Sequence, residues 1–292
     1  QGSEKLALNA AADSNTPTVV AVETWPHLWL GNYGARDISL YTRANAVLAF
    51  DEISRQRFLE AGFSPDRIFV TGNPERDALA ACIRDREAIR TKFREEFGIA
   101  QSDFVATYAV TNNLEAGRLD VDDKDPRWIG FGETETLTEF LLAMSHELPK
   151  GEATAIIRVK PGRERPPIQV LIDEYFPNAL LIGEECRDGK RVILGSDMVV
   201  GTTTIMLQEA SFLGVLPVCF YPRLTREEDP QFANSLGIIK QLRGVNTLAQ
   251  YLGWASNPSF RESKLQELER VIIPTDATAR VVAVMKQIAG AR

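Results

Sequence analysis

The stretch richest in potential chemistry is SDMVVGTTTIMLQEASFLGVLPVCFY, residues 196–221. A strand-like run ends at Gly201, three hydroxyl side chains follow at Thr202, Thr203 and Thr204, and a helical pattern starts almost at once. Such a loop is an anion cradle. Glycine lets a ligand approach the backbone, the hydroxyls donate, and the unpaired N–H groups and positive dipole end of the helix favour phosphate. Glu209, about a turn and a half into that helix, places a carboxylate where it can accept two hydrogen bonds from a ribose diol. The plainer alternative is that Thr202 caps the helix and Glu209 faces water.

The chain has two histidines, which argues against a metal centre built from imidazoles. His27, in ETWPHLWLGNYG, follows the first strand-like run, where open α/β sheets place ligand groups. An imidazole there suits a general base, with Glu23 as a second candidate or an orienting partner. The competing reading is a surface histidine packed between Trp25 and Trp29. His146, near the carboxyl end of TETLTEFLLAMSHELP, is explained by the helix dipole. Asp120, Asp122, Asp123 and Asp125 invite a metal reading, but the calcium-loop template fails, with Lys124 at its fifth position, Asp125 at its sixth and Phe131 at its twelfth. They read as a solvated loop. Neither a G-x-S-x-G elbow nor a Walker lysine motif occurs, which leaves serine-hydrolase and P-loop readings without support.

The elements that must position these residues follow from apolar patterning. TVVAVET (18–24), AVLAF (46–50), RIFVTG (67–72), DFVATYAV (103–110), AIIRVK (155–160), DMVVG (197–201) and LPVCF (216–220) are nearly continuous apolar runs, as expected of strands buried in a parallel sheet. Helical segments separate most of them, and that alternation signals a doubly wound α/β fold. The segment 51–62 is one such helix, with Asp51 or Ser54 as cap and Gly62 as stop, and a charged helix is expected over 74–98. Two lobes result.

The 292 residues fit two domains of roughly 150 residues each. With 44% apolar and 25% charged residues the chain is globular, and its net charge of −7 argues against a general nucleic-acid binder. Cys82, Cys186 and Cys219 have no paired spacing, so neither a disulfide scaffold nor a zinc knuckle is encoded, and a cytoplasmic location is expected. No apolar run is long enough for a membrane span, and no leader is seen. Gln1-Gly2-Ser3 reads as the remnant of a cleavable tag. TVVAVET and AVLAF are too apolar to stand exposed at a sheet edge, which predicts cover from a second copy in a homodimer, from residues beyond this sequence, or from the segments 4–16 or 276–289.

The succession SDMVVG, TTT, QEASFLG, LPVCF is similar to the donor-binding C-terminal lobe of GT-B glycosyltransferases and of the related UDP-N-acetylglucosamine 2-epimerases. VLAFDEISRQRFLEAGFSPDRIFVTGNPERDAL (47–79) resembles the last βαβ of their N-terminal lobe, with its Gly-Asn-Pro ending, and IIRVKPGRE (156–164) resembles a strand that often ends in His-Pro. Together these cover most of the chain. The resemblance implies two Rossmann-like doubly wound parallel-sheet lobes, a shortened first lobe over 1–76 and a nucleotide-donor lobe over 77–292. It implies a metal-independent glycosyltransferase that uses a nucleotide-activated sugar donor as substrate, needs no cofactor and acts on an unknown acceptor, whether glycan, lipid or protein. Gly201, Thr202, Thr203, Thr204, Asn112, Arg158 and Lys160 then serve the diphosphate, Glu209 the ribose, and His27 or Glu23 the acceptor proton. Lys160 stands where many relatives have histidine, and with Arg158, Arg163 and Arg165 it forms either a diphosphate clamp or a solvated basic face. The glycine-rich first loop of the family is not found ahead of Thr18. The alternatives are an epimerase or hydrolase of the same fold, or a non-catalytic nucleotide-binding scaffold.

Overall fold

The structure, a computed structural model, describes residues 2–22, 43–111, 130–148, 152–162, 166–225, 232–244, 246–268 and 276–290. It divides into two compact units, Gln1–Ala81 with Val271–Arg292, and Cys82–Arg270.

The first unit opens with helix α1 (Gly2–Asp13) and strand β1 (Val19–Ala21), followed by β2 (Ala46–Ala49), α2 (Glu52–Glu60), β3 (Ile68–Val70) and α3 (Pro74–Arg84), which runs across the boundary between units. The three strands pair in parallel in the order β1-β2-β3, with Val47 opposite Val20 and Ile68. Asp51 caps α2, its Oδ1 accepting from the Ser54 backbone N–H at 2.7 Å and from the Ser54 hydroxyl at 2.6 Å. Side chains alternate along β2, so Val47 and Ala49 join Phe58 and Phe63 on one face of the sheet while Ala46 and Leu48 go to the other.

The second unit holds α4 (Arg86–Glu96), β4 (Phe104–Ala109), α5 (Glu133–Glu147), β5 (Ala153–Arg158), α6 (Pro166–Tyr175), β6 (Leu180–Ile182) and α7 (Gly189–Gly195). It continues through β7 (Met198–Gly201), α8 (Ile205–Leu213), β8 (Leu216–Tyr221), α9 (Phe232–Ser235), β9 (Lys240–Arg243), α10 (Thr247–Ala255) and α11 (Pro258–Glu267). Its six strands are all parallel, in the order β6-β5-β4-β7-β8-β9. Every residue of β4, β7 and β8 is buried, which is why these strands read as unbroken apolar runs.

The chain closes with α12 (Ala277–Gly290), and here the structure departs from the expected division at 76/77. The boundary falls after Ala81, and α12 belongs to the first unit. Val284 is buried beside Ala46 and Leu48, with Val281 and Ile288 packed around them, so α12 closes one face of the three-stranded sheet from within the chain. Asp77 fixes its start by accepting from the N–H groups of Ala277 and Thr278 and from the Thr278 hydroxyl at 2.7–3.0 Å. The single helix expected over 74–98 is two, α3 and α4, with Asp85 between them. Among the described residues no helix is long and apolar enough to cross a membrane.

Candidate functional site

In the six-stranded sheet β4 and β7 lie side by side although β5 and β6 separate them in sequence. The chain winds outward from β4 through β5 and β6, then returns to β7 and builds the other half. At such a switch point the connections diverge, and the space beyond the carboxyl ends of the two strands is where open α/β sheets bind ligands. Ala109 and Gly201, the last residues of β4 and β7, pair directly across it.

Two helices begin near this point, and their starts differ in charge. At α8 the backbone of Thr204 is extended and its hydroxyl accepts from the Met206 N–H at 3.3 Å, so Thr204, and not Thr202, is the cap. Thr202 is only 3% exposed, and its carbonyl accepts from the Cys219 thiol at 3.1 Å. Thr203 is half-buried between them. The first turn of α8 carries no acidic side chain. A methyl group on Gly201 would lie 2.8 Å from Cγ2 of Thr204 and 3.3 Å from the Ala109 carbonyl oxygen, so glycine is what lets the loop fold tightly over the strand ends. Gly201→Ala is expected to displace the capping threonine and to cost about 1–3 kcal/mol in urea unfolding.

The start of α5 is occupied by its own first residue. Glu133 is 5% exposed, and its carboxylate accepts from the Tyr108 hydroxyl at 2.7 Å and from the Thr111 hydroxyl. Burial pushes the Glu133 carboxyl above its ordinary value near 4.5, and the hydrogen bonds from Thr111 and Tyr108 only partly offset it. Burial, reinforced by the Glu133 charge, drives the Tyr108 phenol well up. An external anion placed at α5 would meet this carboxylate, whereas one at α8 meets free dipole. A raised carboxyl stabilises the fold fully below its unfolded value and loses that contribution as pH climbs through the folded value. The stability of Glu133→Gln relative to the parent should therefore increase as pH rises from about 4.5, which urea midpoints across pH will show.

The other residues singled out in the sequence fall in different places. Glu209 sits in α8, half-buried. Lys160 is exposed just past the end of β5, at the carboxyl end of the sheet. Arg158 has a different task from the expected diphosphate contact. It is 5% exposed and donates to the carbonyls of Val159, Gly183, Ile182 and Arg187 at 2.8–3.4 Å, tying the end of β5 to the turn after β6. Burial pulls its pKa down. His27, Glu23, Asn112, Arg163, Arg165 and the aspartates at 120–125 lie outside the described residues. Glu133, Tyr108 and Thr111 escaped the sequence reading, although Gly130-Phe131-Gly132-Glu133 between a strand and a helix was a usable signal. A methyl on Gly130, at φ 101°, would come within 2.1 Å of the Arg223 carbonyl oxygen, so this loop is pressed against the chain leaving β8.

No family model and no curated protein matches the sequence. Solved structures do match. The UDP-GlcNAc 2-epimerase of Neisseria meningitidis, bound to UDP-GlcNAc, superposes over 96% of this chain and 72% of its own, with a TM-score of 0.60 at 18% identity. S. aureus MnaA, solved with UDP, gives 0.66 at 12% identity over 97% of this chain and 72% of its own. The chain has the GT-B fold. Anabaena HepE, in complex with UDP and glucose, matches at 0.54 with 15% identity over 98% of this chain and 76% of its own. Identities this low speak for the GT-B architecture alone.

Proposed function

We propose that this chain binds a nucleotide-activated sugar with its diphosphate on the 201–204 loop at the start of α8, and that it transfers the sugar to an acceptor without a metal. The observation that carries the reading is the pair of helix starts near the switch point. One is filled by Glu133, and the other, α8, is capped by a threonine, free of acidic side chains in its first turn and floored by Gly201. Thr203 and the N–H groups of the loop hold the leaving diphosphate, Lys160 adds charge from the end of β5, two strands away, and Glu209 takes the ribose. In this reading His27 or Glu23 accepts the proton of the acceptor. Arg158 supports the strand ends and leaves the diphosphate to the loop. The structural neighbours bound to UDP, UDP-GlcNAc, or UDP and glucose favour a uridine nucleotide as the first donor to try.

A second reading, epimerisation of the sugar nucleotide, is favoured by the higher TM-scores of the two structures described as UDP-GlcNAc 2-epimerases, 0.60 and 0.64, against 0.51–0.54 for HepE. Incubation with UDP-GlcNAc and a panel of acceptors, followed by NMR of the products, separates the two. A glycosylated acceptor with release of UDP supports transfer, and a 2-epimer with the nucleotide intact supports epimerisation. Recovery of unaltered UDP-GlcNAc, and of each further nucleotide sugar tried, contradicts both. Turnover is expected to survive EDTA, because the loop supplies the positive potential that a cation would otherwise bring. Loss on chelation with rescue by manganese would contradict that.

A further inference from the structure

Helices α5 and α10 lie together on one face of the six-stranded sheet, and an open groove of about 610 Å³ runs between their outer surfaces. Its apolar lining is Leu142 with the small residues Ala143, Ala249 and Gly253, and two carboxylates two helical turns apart, Glu139 and Glu147, line it as well. Eight residues of helix separate these two, which places them about 12 Å apart along the axis. Trp254, 51% exposed, lines the groove near Glu147, whose Oε2 would lie 3.7 Å from a Cβ on Gly253. His146, Asn246 and Gln250 complete the polar rim, and no lysine or arginine is among the described lining residues. The neighbouring cations are engaged elsewhere. Arg223 pairs with Glu135 at 2.6 Å, with a weaker pull from Glu139, Lys264 pairs with Glu267 at 2.5 Å, and Arg261 donates to the carbonyls of Ala255 and Ser256.

We propose that this groove binds a linear polyamine. Two carboxylates held apart by a helix match ammonium groups at the two ends of an extended chain, the apolar lining of Leu142, Ala143, Ala249 and Gly253 takes the methylenes between them, and the Trp254 ring takes the ammonium beside Glu147 through its face. The volume is that of a small-molecule site. Charge complementarity of this kind weakens with salt, so the binding is strongest at low ionic strength.

The test is a calorimetric titration at low ionic strength of spermidine, whose ends reach across the span, and of putrescine, which is about half as long. Spermidine should bind saturably at one site and quench tryptophan fluorescence, with putrescine at least tenfold weaker. Glu147→Gln and Trp254→Ala, both at exposed positions, should each weaken spermidine about tenfold, and the quench should vanish in Trp254→Ala. Gly253→Lys, which fills the groove with its own ammonium, should abolish binding while the thermal midpoint confirms a folded protein. Absence of saturable binding, equal affinity for the two amines, or affinity unchanged in these variants would overturn the proposal and leave only diffuse attraction to an acidic surface.

Discussion

Thr203→Asp is expected to weaken nucleotide binding by more than tenfold while leaving the free protein as stable as the parent or more so. The substitution puts a carboxylate against the start of α8, where the account seats the diphosphate. Two unit charges about 4 Å apart at a protein surface repel by up to about 4 kcal/mol, and the new carboxylate also takes the dipole stabilisation that the ligand would have used. A tenfold loss needs only about 1.4 kcal/mol of this. The same carboxylate satisfies the helix end in the empty protein, and Thr204 still supplies the cap, so the thermal midpoint holds or rises. Affinity and stability thus move in opposite directions, which a merely disrupted loop would not produce. Unchanged affinity by calorimetry would remove the diphosphate from this loop.

The largest expected loss of stability comes from the opposite end of β7. Asp197, 8% exposed in its side chain, accepts from Arg90 at 2.8 Å and Arg261 at 3.2 Å through one oxygen, and from Arg94 and the Val105 N–H at 2.9 and 2.8 Å through the other. Arg94 is fully buried and also donates to the carbonyls of Gly195, Ala100, Gln101 and Asp103, so one carboxylate ties α4 and α11 to the entry of β4 and β7. Burial lowers the pKa of Arg94 and of Arg261, and the Asp197 charge works to restore both. Asp197→Ala leaves buried guanidinium charge without its counterion, at a cost of about 3–5 kcal/mol, a large part of the roughly 5–15 kcal/mol that holds a domain folded. The urea midpoint should fall with the slope unchanged, and a loss below about 1 kcal/mol would contradict this role. Nucleotide affinity should survive, since Asp197 and Gly201 are about 13 Å apart along the strand.

The strands whose residues are wholly buried were legible because an unbroken apolar run has few other uses. β6 and β9 were not. The first is three residues long, and the second is Lys-Gln-Leu-Arg, an edge strand whose side chains stay partly exposed and so carry no apolar signal. That the segment 276–289 could cover the first sheet was legible, and α12 does so, but its anchor Asp77, some 200 residues away, was not. In the site, Gly-Thr-Thr-Thr after a strand announced the loop, yet three identical side chains do not say which one caps, and only the backbone angles pick out Thr204. Arg158 was read as part of a clamp because charge next to a strand end suggests a ligand, while three of the four carbonyls that claim it come from residues 24–29 positions away. Glu133 drew no notice because acidic residues are common in first helical turns, and its burial against Tyr108 and Thr111 is a property of the fold.

The most direct measurement is a crystal structure of this chain grown with saturating UDP and EDTA. Diphosphate oxygens are expected about 3 Å from the Thr203 hydroxyl and the backbone N–H groups at the start of α8, with the ribose toward Glu209. Diphosphate bound instead at Gly132 and Glu133, or a crevice beyond Ala109 and Gly201 left empty at that concentration, would contradict this placement.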